Sequence, residues 1–74
     1  MDIFETLSDL CHEYLGKDKK DITPDTTFDE LGADSLDIAE LVMEIESRFQ
    51  IEIPDEELEK FTRIKDVVEF IEEN

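Results

Sequence analysis

Cysteine is nearly absent from this sequence: Cys11 stands alone among 74 residues. An internal disulfide is therefore excluded, and a domain this small has to hold together by packing. Histidine is as scarce, with His12 the single example. A zinc site needs three or four Cys, His or carboxylate ligands that converge, and neighbours such as Cys11 and His12 diverge by about 100° on a helix. A Ser-His-Asp site would need His12 beside a serine, with an orienting acid and an oxyanion hole, and no such grouping is visible. His12 therefore reads as a helix-surface residue, and Cys11, inside an apolar stripe, as a buried structural thiol. Tryptophan is missing, and glycine and proline number two each, which excludes low-complexity Pro/Gly segments. No apolar run approaches the roughly 20 residues of a membrane span. The opening Met1-Asp2-Ile3-Phe4-Glu5 has no basic stretch of the kind that starts a secretory signal, so a cytoplasmic location is the expectation.

Positive charge is the largest shortage. Seven Lys and Arg stand against 23 Asp and Glu, a formal net charge of -16. Such a chain is repelled by phosphate backbones, which excludes direct nucleic-acid binding, and by anionic membrane surfaces. Its complementary partners are basic patches on other proteins, or cations. Self-repulsion also weakens the fold, so low salt should loosen it, and divalent cations or mild acid should tighten it.

What is present argues for a folded chain. Apolar residues make up 39%, including five Phe, and disordered acidic tails lack such large side chains. The length fits a single domain over residues 1–74. Residues 2–15 predict a first helix, with Ile3, Leu7, Leu10 and Tyr14 at helical spacing and Gly16 as its stop. Residues 16–33 predict a long connection, with turn chemistry at Thr23-Pro24-Asp25 and with Ile22, Phe28 and Leu31 as apolar anchors. Residues 35–49 predict the second helix. Asp34 is its N-cap, Asp37 completes a capping box, and Ile38, Leu41, Val42, Ile45 and Phe49 form one apolar face. Asp55 to Leu58 predicts a short third helix capped by Asp55. Residues 63–73 predict a last helix capped by Thr62, with Ile64, Val67, Val68 and Ile71 as its stripe. Alternating strand patterns are absent, so the fold class is all-α: a small four-helix bundle, three main helices plus one short one, with a long loop between the first and second.

The acids do not spell a calcium loop. An EF-hand counted from Asp21 would want Gly at its sixth position and Glu at its twelfth, and these places hold Thr26 and Gly32. The second helix is more informative. Leu36, Ala39 and Met43 lie away from its core face, framed by Glu40, Glu44 and Glu46. Exposed apolar residues in an acidic frame suit a partner interface, where charge steers and apolar contact docks. Ser35 is predicted at the first helical position, where free N–H groups and the macrodipole favour a phosphate ester.

The run Leu31-Gly32-Ala33-Asp34-Ser35-Leu36-Asp37, followed by Glu40-Leu41-Val42-Met43, resembles the acyl carrier proteins of the free-standing, bacterial fatty-acid type. Further matches are Phe49, the run Ile51-Glu52-Ile53-Pro54-Asp55-Glu56-Glu57, and Thr62-Arg63-Ile64-Lys65-Asp66, so the resemblance covers the whole chain. It implies a carrier rather than an enzyme. Ser35 would hold a covalent 4′-phosphopantetheine arm, transferred from coenzyme A by a phosphopantetheinyl transferase. The arm's thiol would carry growing fatty acyl chains as thioesters and deliver them to fatty-acid synthesis enzymes. The resemblance also implies a partner surface of Asp34, Asp37, Glu40 and Glu46 facing basic patches. Leu36 and Met43 would be its apolar contacts, with Glu56 and Glu57 joining from the short helix. A monomer without a metal site is implied, and the acyl chain would tuck into the bundle core. Ala39, Glu44, Ser47 and Arg48, with Lys17 in the first loop, depart from the usual pattern and bear on which enzymes are met. Two other readings share many of these residues: a carrier of polyketide, specialised-lipid or aminoacyl cargo, and an acidic helical protein that binds basic partners with no prosthetic group.

Overall fold

A computed structural model describes residues 2–74. Four helices follow one another: α1 (Ile3–Leu15), α2 (Ser35–Phe49), α3 (Asp55–Leu58) and α4 (Ile64–Glu73). Among the described residues there is no strand, only an isolated antiparallel bridge between Thr27 and Arg63.

α1 forms because its apolar residues recur on one stripe, and its ends are marked chemically. The Asp2 carboxylate accepts the Glu5 N–H at 3.3 Å, and Gly16 closes the helix in the left-handed region, at φ 71°, a conformation glycine adopts without penalty. Leu7, Leu10 and Cys11 are buried, and they pack α1 against both α2 and α4. Cys11 is fully enclosed, and this burial pushes its thiol up to about 11, the signature of an inert structural cysteine. His12 is exposed as expected, and its Nδ1 lies 2.7 Å from the Lys17 carbonyl, which it reaches by donating. It thereby satisfies a carbonyl just past the end of α1.

The long connection is more ordered than a structureless loop. Lys19–Asp21 forms one 3-10 turn, and Ile22 and Leu31 are buried as predicted, with Phe28 half-buried. The loop is also stitched to the start of α4. The Phe28 N–H donates to the Thr62 carbonyl at 3.1 Å, Ile64 N–H to Thr26 at 3.0 Å, and Lys65 N–H to Pro24 at 2.9 Å. Arg63 Nη1 donates to the Asp25 carbonyl at 2.9 Å. No apolar periodicity signals these backbone bonds, so the sequence gives no warning of them.

Two caps differ from the sequence reading. Asp55 does not cap α3: it is the first helical residue, and Pro54 occupies the cap with extended backbone and no side-chain bond. The ring of Pro54 fixes φ near −65°, which sets the entry angle and leaves the acids Asp55, Glu56 and Glu57 in the first turn, where the helix dipole favours them. Thr62 likewise does not cap α4. The helix starts at Ile64 with Arg63 at the cap. The Asp66 carboxylate reaches back to accept the N–H of Thr62 at 3.0 Å and of Arg63 at 2.9 Å. These bonds, that from Arg63 first, hold the Asp66 carboxyl below its usual range.

Candidate functional site

α2 begins where the sequence places it, because its start is doubly fixed. The Asp37 N–H donates to Asp34 Oδ1 at 2.9 Å, and the Asp34 N–H donates to Asp37 Oδ2 at 3.4 Å. This capping box engages the two carboxylates nearest Ser35 with backbone. Ser35 is then the first helical residue, and its side chain is exposed. Among the described residues, the N–H groups of Ser35 and Leu36 have no partner in the chain. A hydroxyl facing solvent, beside two free amides at the positive end of a 15-residue helix, is well placed to bear a phosphate ester.

The surroundings of Ser35 divide into residues that face outward and residues that are held. Among the described residues, Leu36 and Met43 are the exposed large hydrophobics, each 68% exposed. Asp34, Ala39, Glu40 and Glu56 are exposed too. Glu46 is only half-exposed, and its carboxylate accepts the Ile53 N–H at 2.8 Å, which ties the end of α2 to the segment entering α3. Glu57 is also half-buried and pairs with Lys60 at 3.7 Å. Glu44, one of the departing positions, turns inward: it accepts from the Tyr14 hydroxyl at 3.2 Å and from Arg48 Nε at 3.3 Å.

Behind this face lies a small apolar cavity of about 60 Å³. Ile38, Leu41, Val42 and Ile45 of α2 form one wall, and Phe28, Leu58, Phe61 and Val67 are among the residues that complete it. Sequence reasoning left this lining unnamed. The available signal was that Phe28, Leu58 and Phe61 are large apolar residues outside the main helical stripes and must be covered by something.

A family model for the phosphopantetheine attachment site matches residues 5–71. The acyl carrier protein of Helicobacter hepaticus is 49% identical over 75 positions, spanning 100% of this chain and 99% of the relative. The chain belongs to the acyl carrier protein family. The crystal structure of the acyl carrier protein of Thermotoga maritima superposes with a TM-score of 0.83 at 34% identity, covering 96% of this chain and 84% of that one. The helical fold is thus that of the family, and the chain is a carrier of phosphopantetheine rather than an enzyme. Among the described residues no helix is long and apolar enough to cross a membrane.

Proposed function

We propose that Ser35 bears the 4′-phosphopantetheine arm and that the chain ferries fatty acyl groups on it. The observation that carries this reading is the exposed Ser35 hydroxyl at the start of α2, next to two unpartnered backbone N–H groups. A separate transferase would move the 4′-phosphopantetheinyl group of coenzyme A onto Ser35 Oγ. The hydroxyl would give its proton to a base of the transferase, a phosphodiester would form at Oγ, and the pyrophosphate bond of coenzyme A would break with adenosine 3′,5′-bisphosphate leaving. When attached, the arm supplies a terminal thiol that holds the cargo as a thioester. The chain's own residues position the arm and choose partners. The capping box fixes the helix start beneath Ser35, and the free amides of Ser35 and Leu36 would be available to the oxygens of a phosphodiester there.

Partner choice falls to the face around Ser35. Leu36 and Met43 offer apolar contact, and Asp34, Glu40 and Glu56 offer exposed charge to basic patches beside the entrances of fatty-acid synthesis enzymes. Asp37, Glu46 and Glu57 belong to or flank this face but are half-buried and also bound within the fold, so their contribution is weaker. Exposed charge of this kind gives fast, weak, salt-sensitive docking, which suits a monomeric carrier in the cytoplasm that must release each partner. The apolar cavity marks where the cargo enters the bundle. It holds only a few atoms at about 60 Å³, so a longer chain gains room only by displacing part of the wall, of which the four-residue α3 with its Leu58 is the shortest helix.

Incubation with coenzyme A and a broad-specificity phosphopantetheinyl transferase, followed by mass spectrometry, tests the attachment. One phosphopantetheine should be gained by the native chain and none by Ser35→Ala. A gain that survives the substitution places the arm elsewhere. The holo form should then be loaded by fatty-acid acyl-loading enzymes; loading only by polyketide or aminoacyl systems would assign it a different cargo.

A further inference from the structure

Phe61 separates two cavities. On one side it lines the inner apolar cavity. On the other it joins Phe70 in a surface groove of about 430 Å³ between α3 and α4. The two rings meet edge to face, with centroids 5.8 Å apart and planes at 86°, and both residues are only half-buried. Glu52, Glu57, Glu69 and Glu73 line the groove around them. Among the described residues, Lys60 is the one cation in its lining, and it already pairs with Glu57. Asp66 also lines the groove, but its carboxylate is occupied by the Thr62 and Arg63 amides. Among the described residues, Glu52, Glu69 and Glu73 take part in no ion pair.

The fold gains nothing from this arrangement, since like charges gathered around a partly exposed aromatic pair repel one another. The chemistry restricts the occupant. A phosphate or an acidic peptide is repelled. A purely apolar group would bury carboxylates without partners, which is costly. A metal ion has no anchor, because among the described residues no three His, Cys, Asp or Glu groups are placed to hold one. A guanidinium satisfies both parts of the groove: it stacks on phenyl faces and pairs with carboxylates through parallel hydrogen bonds. The volume lies within the roughly 300–1,000 Å³ of ordinary binding pockets, towards its small end, which suits one or two side chains of a larger partner. We propose that this groove docks an arginine-bearing segment of a partner protein, on the α3–α4 side of the molecule and sharing only Glu57 with the flank of the Ser35 face. The site needs neither Ser35 nor the prosthetic arm.

The test is a titration of acetyl-Arg-Leu-Arg-amide into the ¹⁵N-labelled, unmodified protein at low salt. Saturable shifts should centre on the amides of Phe61, Glu69, Phe70 and Glu73. The double change Glu69→Gln, Glu73→Gln should weaken affinity at least threefold, and so should Phe70→Leu in a variant whose circular dichroism shows an intact fold. Glu13→Gln on α1 should stay within twofold of the native chain. Acetyl-Gly-Leu-Gly-amide should not saturate the site, and putrescine, with the same two charges, should bind more weakly than the arginine peptide. Putrescine binding as tightly would overturn the proposal, because charge alone would then suffice. Shifts centred on α2, shifts spread evenly over the acidic surface, or unchanged affinity in the groove variants would overturn it as well. So would sedimentation showing that a second copy fills the groove at working concentration.

Discussion

The Tyr14 hydroxyl donates to Glu44 Oε2 at 3.2 Å and so ties α1 to α2 across 30 residues of sequence. Arg48 Nε holds the other oxygen of the same carboxylate at 3.3 Å, so Glu44 is a hub between two elements. The hydrogen bond to Glu44 is the main reason the Tyr14 phenol is raised above its ordinary value, with burial and the neighbouring carboxylates adding to it. The fold thus favours the neutral phenol. Its stabilisation is complete below the free-tyrosine value of about 10 and is lost as pH rises through the higher folded value. Tyr14→Phe should lower Tm at neutral pH by about 2–4 °C, the scale of one modest hydrogen bond in a domain this size. It should also flatten the alkaline limb of Tm against pH. A variant with the native alkaline limb would show that Glu44 has found another donor.

Ser8 carries the opposite kind of polar group. It is 4% exposed, and its Oγ has no hydrogen-bond partner among the described residues. An unpaired buried hydroxyl costs about 1–3 kcal/mol, and alanine is the better helix former. Ser8→Ala should therefore stabilise the chain by about 1 kcal/mol, seen as a higher denaturant midpoint at an unchanged slope. A lower midpoint would mean that the hydroxyl has a partner in solution.

Acid should act on the start of α4. The Asp66 carboxyl is held below its usual range by the amides of Arg63 and then Thr62. A depressed carboxyl stabilises fully above its unfolded value and loses that contribution as pH falls through the folded one. Asp66→Asn should lower Tm at neutral pH and reduce the loss of Tm below about pH 4, where ordinary aspartate protonates. Amide hydrogen exchange at Thr62 and Arg63 should quicken in the variant. Unaltered exchange there would remove Asp66 from the role.

Salt should act on the whole molecule. With a net charge of -16, self-repulsion is screened as ionic strength rises from about 0.01 M to 0.15 M, because the Debye length falls from roughly 30 Å to 8 Å. Tm should climb over that range. Millimolar magnesium should raise it further than sodium at equal ionic strength. A Tm indifferent to both would mean that the acidic surface costs the fold nothing.

Much of this molecule was legible in its sequence, and the pattern of success follows the range of the interactions. The bounds of α2 were readable to the residue because Asp34 and Asp37 form a local box and Leu41 and Ile45 keep a helical period. Ser35 stood out for the same reason: its setting is a helix start, which four or five residues define. Leu36 and Met43 were recognisable as outward-facing because they break the core stripe. The misread caps of α3 and α4 had several suitable residues within a turn of each other, and composition does not say which is used. Pro54 takes the first position through its ring, and Asp66 supplies the second from inside the helix. Other features were invisible because they are non-local. Glu46 reaches Ile53, Glu44 meets Tyr14, and the loop around Phe28 bonds to residues 62–65. The cavity exists only where these separate segments meet.

The stitch between the loop and α4 bears on the order in which the molecule is made. Phe28, a wall of the inner cavity, is held by the carbonyl of Thr62, and Asp25 and Thr26 are held by Arg63 and Ile64. Those anchors leave a ribosome after the loop they hold, because synthesis runs from the N-terminus. A nascent chain that has grown only as far as Phe61 already contains Ser35 and all of α2, but Phe28 still lacks the Thr62 carbonyl that its N–H reaches in the fold. Ser35 is thus in place before the inner cavity can close, and closure waits for residues 62–65 to emerge.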